Sequence, residues 1–344
     1  MASNNQSVVV YGAYGHTGRF VVAELKKRGW TPVLSGRDAG KLDALATEYI
    51  GLEARPASVD EPASLDRALK GAAAVINCAG PFASTAGPVI EAALRARIPY
   101  LDVAAEVEAN IDTFALYADR AREAGIVVVH AMAFYGGLGD LLATAAMGDW
   151  TSADEISIAY GLDSWLPTAG TLVAGQVSRQ RRDGRRVVFA NGKIAYTTGS
   201  APVVEWEFPA PVGRQQAVSE FTMADTVTIS RHIQVPEIRS YMTLVAVKDL
   251  TDPGHKAPTP SDASGRSSQT FVVEVIARRG GEERRAIASG RDIYAFTAPL
   301  VVEALKRVVG GQVSTPGVLT AGEAFDARDF LASLSPEHLS FQIR

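Results

Sequence analysis

The chain has 344 residues, with 34 lysines and arginines against 38 acidic residues and a formal charge of −4. That length holds one large or two ordinary domains with sizeable cores, and the mild charge, without a long acidic or basic run, leaves no footprint for nucleic acid. A single cysteine, Cys78, excludes an intrachain disulfide and a multi-cysteine metal site. No stretch approaches ~18 consecutive apolar residues, so no membrane span is expected, and the polar start 1–7 has no apolar signal core, so a cytoplasmic protein is expected.

The first element is Val8-Val9-Val10-Tyr11, a buried strand, followed by Gly12-Ala13-Tyr14-Gly15-His16-Thr17-Gly18. Gly12 lets the chain leave the strand sharply, Gly15 lets the backbone approach phosphates, and Gly18 lets the next helix pack close to the sheet. The unpaired N–H groups at that helix start then face an anion. The spacing G-x-x-G-x-x-G, between a strand and an amphipathic segment, predicts a dinucleotide pyrophosphate site. A glycine turn of purely structural use is the alternative.

The second strand, 32–35, ends in Ser35-Gly36-Arg37, with Lys41 soon after. NAD binders commonly carry an acid here for the ribose 2′-OH. A guanidinium instead binds a 2′-phosphate with a fork of donors, which predicts NADP(H). Asp38 follows at once and competes with that reading. Further strands are expected at 53–57, 73–77, 99–101 and 126–129, with helices at 16–28, 39–49, 62–70, 87–95 and 109–124. This alternation predicts an α/β fold, a Rossmann-type doubly wound parallel sheet, with ligand beyond the carboxyl ends of the strands. Asp60, after the third strand, faces the adenine or caps a helix. Pro81-Phe82, at the end of Asn77-Cys78-Ala79-Gly80, walls the nicotinamide or forms a rigid turn.

From about residue 151 the texture changes. Segments 155–160, 185–189, 203–208, 240–247, 269–278 and 284–294 are β-rich, which predicts a second α+β domain on a mostly antiparallel sheet. A helix is expected at 170–182, a loop at 254–268, and helices at 297–309 and 322–334. Arg181-Arg182 and Arg185-Arg186 around Asp183-Gly184 read as a charged hairpin. The domain division expected is 1–135 for the dinucleotide, 136–296 for substrate and dimerisation, and 297–344 as helices packing back on the first domain.

Asn77-Cys78-Ala79-Gly80-Pro81-Phe82, then Gly87-Pro88-Val89, then Tyr100-Leu101-Asp102-Val103-Ala104-Ala105-Glu106, resembles the saccharopine-dehydrogenase-like reductases. That family shows N-C-x-G-P-[FY] and Y-x-D-x-x-G-E segments after a G-A-x-G-x-T-G-R opening. Two departures stand out: Ala105 replaces the glycine before Glu106, and Ala133-Phe134-Tyr135-Gly136-Gly137-Leu138-Gly139-Asp140 replaces G-F-D-x-x-P-x-D, so the family's type substrate is not expected. The resemblance implies nicotinamide-dependent reduction, of an imine or in some branches of an activated C=C, and it implies cofactor contacts by Gly12, Tyr14, Gly15, His16, Thr17, Gly18, Ser35, Gly36, Arg37, Lys41, Asp60, Ala79, Gly80, Pro81 and Phe82.

No tyrosine is followed by lysine four residues later, so the Y-x-x-x-K pair of short-chain reductases is absent. Candidate catalytic residues are Tyr135, Asp102 and Glu106, with His130 and Asp140 behind them. Tyr135 leads, because it stands in a glycine-rich loop after the last strand of the first domain; a packing tyrosine is the alternative. Asp163, Trp165, Thr168 and Thr171 are expected to form a lid, while Trp206, Phe208 and Tyr241 read as sheet core and Cys78 as a small core residue. No cluster has metal-ligand spacing, and no metal is expected. The readings left open are an imine reductase, an enoyl reductase and a non-catalytic cofactor sensor. A small-molecule substrate and a homodimer through the second domain are the expected partners.

Overall fold

The computed structural model describes residues 6–254 and 256–344; the extreme N-terminus 1–5 and His255 in the loop 254–268 lie outside the described residues. In chain order the first half reads β1 Ser7–Tyr11, α1 His16–Lys27, β2 Thr31–Gly36, α2 Ala39–Glu48, β3 Ala54–Pro56, α3 Pro62–Leu69, β4 Ala74–Asn77, α4 Phe82–Ala96, β5 Tyr100–Asp102, α5 Val107–Ala124, β6 Val127–Val129 and, after a π-turn over Phe134–Leu138, α6 Gly139–Met147. The strands stand in the order β3-β2-β1-β4-β5-β6, every neighbouring pair parallel. Val8, Val9, Val10, Val75 and Ile76 are fully buried, as strands covered on both faces require. The order reverses between β1 and β4, and ligands of such sheets bind at that switch point.

The second half reads β7 Glu155–Leu162, α7 Ala169–Arg181, β8 Arg186–Ala190, β9 Lys193–Thr197, β10 Val203–Phe208, β11 Gly213–Ser219, α8 Asp225–Ser230, β12 Ile238–Thr243, α9 Leu244–Thr251, β13 Thr270–Arg279, β14 Glu282–Arg291, α10 Ile293–Val309, β15 Gly317–Leu319, α11 Ala321–Ala324, α12 Ala327–Leu334 and β16 Leu339–Ile343. Nine of these strands form a mixed sheet along β10-β11-β12-β7-β13-β14-β16, with the β8–β9 hairpin on β12. All pairs are antiparallel except β12 with β7. Ile156, Ile158, Tyr160 and Leu162 alternate inward from β7 onto the main core. Trp206, Phe208 and Tyr241 cluster on the opposite face, where Phe208 lies over Gly161.

Several boundaries differ from expectation for identifiable reasons. Helix α4 begins at Phe82 and not at 87, and α10 at Ile293 and not at 297, each with a proline inside (Pro88, Pro299). Proline reads as a helix start, but carboxylates hold the earlier turns: Glu106, distant in sequence, accepts from Phe82 N–H, and Asp292, the N-cap residue of α10 itself, accepts from Tyr294 and Ala295 N–H. The stretch 240–247, expected as strand, turns helical at Leu244. The arginines around Asp183-Gly184 form a helix-to-strand turn and not a hairpin, with Arg181, Arg182 and Arg186 paired to Asp112, Glu108 and Glu220. The stretch 297–344 is more than helices: β15 joins the first sheet beside β6, and β16 joins the second beside β14. Among the described residues no helix is long and apolar enough to cross a membrane, and no metal-holding cluster occurs.

Candidate functional site

The glycine turn lies at the switch point. Gly12 has φ +85°, and the turn is closed by Gly12 and Ala13 N–H donating to Ser35 O. A Cβ on Gly12 would stand 2.8 Å from Ala79 N, and one on Gly18 would stand 2.2 Å from Gly12 O. The turns after β1 and β4 therefore touch, and α1 rests on the turn that precedes it. Gly15 is different: it caps α1, and its Cβ would meet only Gly12 O, at 3.1 Å. No side chain caps α1, and its first turn carries no acid. A helix start left this way fits a pyrophosphate. Tyr14, His16 and Thr17 are half-buried around it.

At the end of β2, Tyr14 lies against Gly36, where a Cβ would stand 2.8 Å from the ring, and Lys41 Nζ stands 5.6 Å from the ring centroid. Arg37 is exposed and makes no hydrogen bond or ion pair among the described residues. Asp38 is occupied otherwise: it caps α2 through Lys41 N–H and pairs with Lys41 Nζ at 3.6 Å. The Ser35 hydroxyl turns into the sheet and donates to Arg55 O, so this residue faces the turn through its backbone. Asp60 is exposed beside Ser58, while Glu61, not Asp60, occupies the cap position of α3.

The ends of β4 and β5 are knit together by buried polar groups. Asn77 donates to Thr85 and Tyr100 and accepts from Ala79 N–H, and Tyr100 donates to Asp102. Asp102 accepts from Ala104 and Ala131 N–H. Burial pushes its carboxyl up to about 6, against the pull of those donors. Glu106 accepts from Phe82 and Ala83 N–H at the start of α4. Its carboxyl is also raised by burial. Glu106 thus holds the backbone at Phe82 directly, while Asp102 holds Ala104 and Ala131 and reaches Ala79 only through Tyr100 and Asn77. His130 Nδ1 meets Asn110 Oδ1 at 2.6 Å, and burial holds its ring down at about 3, so it is neutral. The Cys78 thiol is pushed far up by burial and packs against the core.

Tyr135 sits in the most distorted backbone of the chain. Ala131 has φ +55°, Ala133 N–H closes a turn on Ala131 O, and Gly136 has φ +98° inside the π-turn. Such distortions collect at functional sites. The Tyr135 hydroxyl is buried without a hydrogen-bond partner, and burial raises it well above its ordinary value. Its ring meets Trp165 at 5.0 Å and Tyr160 at 5.1 Å between centroids. Trp165 Nε1 and Thr168 N–H donate to the Tyr294 hydroxyl, which also pairs with Thr171 Oγ1 at 2.9 Å. His16 of the glycine turn stands edge-on to Tyr294 at 5.3 Å. Three of the four residues expected as a lid, Trp165, Thr168 and Thr171, therefore converge on Tyr294 next to the cofactor turn; Asp163 instead holds Thr270.

The sequence reading missed Tyr160, Tyr294, Asp225 and His232. Tyr160 donates to Asp225 at 2.8 Å, and Asp140 pairs with His232 at 2.6 Å while accepting from Gly322 N–H. Tyr160 alone carried a signal, a polar tip at an inward position of an alternating strand.

Residues 8–129 match the family model described as the saccharopine dehydrogenase NADP binding domain. That stretch, about a third of the chain, is similar to such a domain. The match supports NADP(H) binding, in line with the uncapped α1 and the exposed Arg37. The "probable mitochondrial saccharopine dehydrogenase-like oxidoreductase" of Arabidopsis thaliana is 33% identical over 146 residues, covering 37% of this chain and 31% of that protein. The saccharopine dehydrogenase-like oxidoreductase of Homo sapiens is 28% identical over 145 residues, covering 37% and 34%. The chain thus aligns with about a third of the length of these relatives. Beyond the domain the likeness is one of fold: apo saccharopine dehydrogenase (L-Glu forming) from Saccharomyces cerevisiae superposes with a TM-score of 0.66 over 99% of this chain and all of that one, at 13% identity.

Proposed function

We propose that the chain is an NADPH-dependent reductase of small-molecule metabolism that delivers hydride to a C=N substrate. The nicotinamide supplies the hydride, and the chain supplies binding and orientation. In this reading Gly12, Gly15 and Gly18 shape the pyrophosphate turn, with Tyr14, His16, Thr17 and Ser35 around it. Gly36, Arg37, Lys41 and Asp60 flank the adenosine 2′-phosphate, and Ala79, Gly80, Pro81 and Phe82 bound the nicotinamide. Asp102 and Glu106 are positioning residues for that last turn.

The observation that carries C=N over C=C or C=O is the state of the candidate acids. Asp102 and Glu106 accept from backbone N–H groups, His130 is neutral and buried, Asp140 is paired with His232, and the Tyr135 hydroxyl is held protonated by burial. An iminium arrives with its positive charge and needs no such donor, whereas an enoyl or carbonyl oxygen does. Tyr135→Phe is therefore expected to lower turnover by less than about tenfold at saturating NADPH, where loss of a general acid costs about 10²–10⁴-fold. A thousandfold loss with binding intact would make Tyr135 the acid of an enoyl or carbonyl reductase.

A homodimer through the second sheet and a cytoplasmic location belong to the same reading. Edge strand β10 leaves Val203 and Val204 exposed at 51% and 37%, and edges of this kind invite pairing. Light scattering should return twice the chain mass; a single-chain mass at working concentration would remove the dimer.

A further inference from the structure

Among the described residues, one buried carboxylate combines the absence of a cation with an oxygen that accepts no hydrogen bond. Glu24, Glu108, Asp140, Glu274 and Glu303 each pair with an arginine or histidine. Asp102, Glu106 and Asp292 each accept from two or more backbone N–H groups. Asp225, at the start of α8, is fully buried with no cation beside it among the described residues; Tyr160 donates to its Oδ1, the backbone N–H groups of Gly136 and of Asp225 itself also favour its charge, and its Oδ2 has no hydrogen-bond partner. Its place is carved out, since a Cβ on Gly139 would stand 1.9 Å from Asp225 Oδ1. A buried carboxylate without a cation is costly. The charged group that acts on it is another anion, Asp140, already paired with His232.

Asp225 lies behind an aromatic wall. Its charge reaches Tyr135, whose hydroxyl is also buried and unpartnered. The rings of Tyr135 and Trp165 meet at 5.0 Å, Phe221 stands 6.3 Å beyond Trp165, and Tyr135 and Trp165 keep 8% and 6% of their surface exposed. Among the described residues no lysine or arginine stands over these rings, so no side-chain cation stacked on them offers to pair with a substrate carboxylate. Aromatic faces backed by an anion select a cation.

We propose that this site takes a cationic iminium with apolar or aromatic substituents and no carboxylate, held at the Tyr135–Trp165 wall by the charge of Asp225. The inference rests on the C=N reading and names its substrate class. Hydride adds to the iminium carbon, the C=N π pair moves to nitrogen, and the products are a neutral amine and NADP⁺; no further reactant is required. Burial raises the Asp225 carboxyl to about 6, Tyr160 and the backbone N–H groups of Asp225 and Gly136 oppose that, and Asp140 adds to it. The anion is present above that pH and lost below it. Tyr135 and Tyr160 stay protonated across this range, both raised by burial, and, against burial, the nearby His232 ring is raised by its pairing with Asp140.

The test uses N-methyl-3,4-dihydroisoquinolinium, whose charge is independent of pH, and its 3-carboxylate. Calorimetry is run on the full chain loaded with 1,4,5,6-tetrahydro-NADP, a neutral analogue with no hydride to give. Binding of the cation should weaken by up to about tenfold from pH 7.5 to pH 5, and the carboxylate should bind about tenfold more weakly than the cation. Asp225→Asn should bind at pH 7.5 as weakly as the parent does at pH 5. If that variant does not fold, Tyr160→Phe keeps the charge but removes its hydrogen bond, so the loss should set in at a higher pH. Affinity that ignores pH, equal binding of the carboxylate, or no binding overturns the proposal. With NADPH in place of the analogue, pH-dependent binding without NADPH oxidation overturns the C=N reading and leaves the site; oxidation with pH-independent binding does the reverse.

Discussion

Gly15→Val is expected to give a folded chain that no longer binds dinucleotide, with affinity for NADPH reduced at least about 100-fold by calorimetry. The glycines of the turn do different things, and this one isolates binding. A Cβ on Gly18 would enter the backbone of its own turn at 2.2 Å, and one on Gly12 would enter the β4 turn at 2.8 Å, so substitutions there disturb the fold and lose binding indirectly. Gly15 has an extended backbone at φ −69°, ψ 163°, and a Cβ there meets a single atom, Gly12 O, at 3.1 Å. The added branches project where phosphate oxygens must reach the helix start. An unchanged thermal melt with lost binding is the expected pair of results. Unimpaired binding would place the phosphates elsewhere.

Arg37→Ala should separate the two nicotinamide cofactors. Among the described residues Arg37, exposed at the end of β2, makes no hydrogen bond or ion pair, while the competing acid, Asp38, is engaged in capping α2. A charge-assisted hydrogen bond to the 2′-phosphate contributes about 1.5–3 kcal/mol, so NADPH affinity should fall roughly ten- to 150-fold. NADH, which lacks the phosphate, should lose almost nothing. Equal losses for both would show that Arg37 holds the turn and does not read the phosphate.

The dinucleotide half was legible because its signals are local. The strand Val8–Val10, the glycine spacing and the alternation of apolar runs with amphipathic stretches each lie within a few residues of one another, and the order of strands follows from right-handed crossovers. Helix starts were misplaced where a distant group caps them, as Glu106 does for Phe82 across 24 residues. The second half was legible only as β-rich. Its long-range pairing leaves no periodic signature, and a β-branched run such as Val245-Ala246-Val247 entered a helix against its propensity. The same limit hid part of the candidate site. Asp225 meets Tyr160 across 65 residues, and Trp165 meets Tyr294 across 129. Asp102 and Glu106 were visible as residues, but their backbone donors, Ala104 and Ala131 for the first and Phe82 and Ala83 of the β4 turn for the second, were not.

The most direct test of the reductase reading is a crystal structure of the chain with NADP⁺. The account predicts the pyrophosphate on the N–H groups of His16 and Thr17, the 2′-phosphate at Arg37, and nicotinamide C4 between Phe82 and the face of Tyr135. A dinucleotide bound in another place, or a nicotinamide ring turned away from Tyr135 and Trp165, would contradict it.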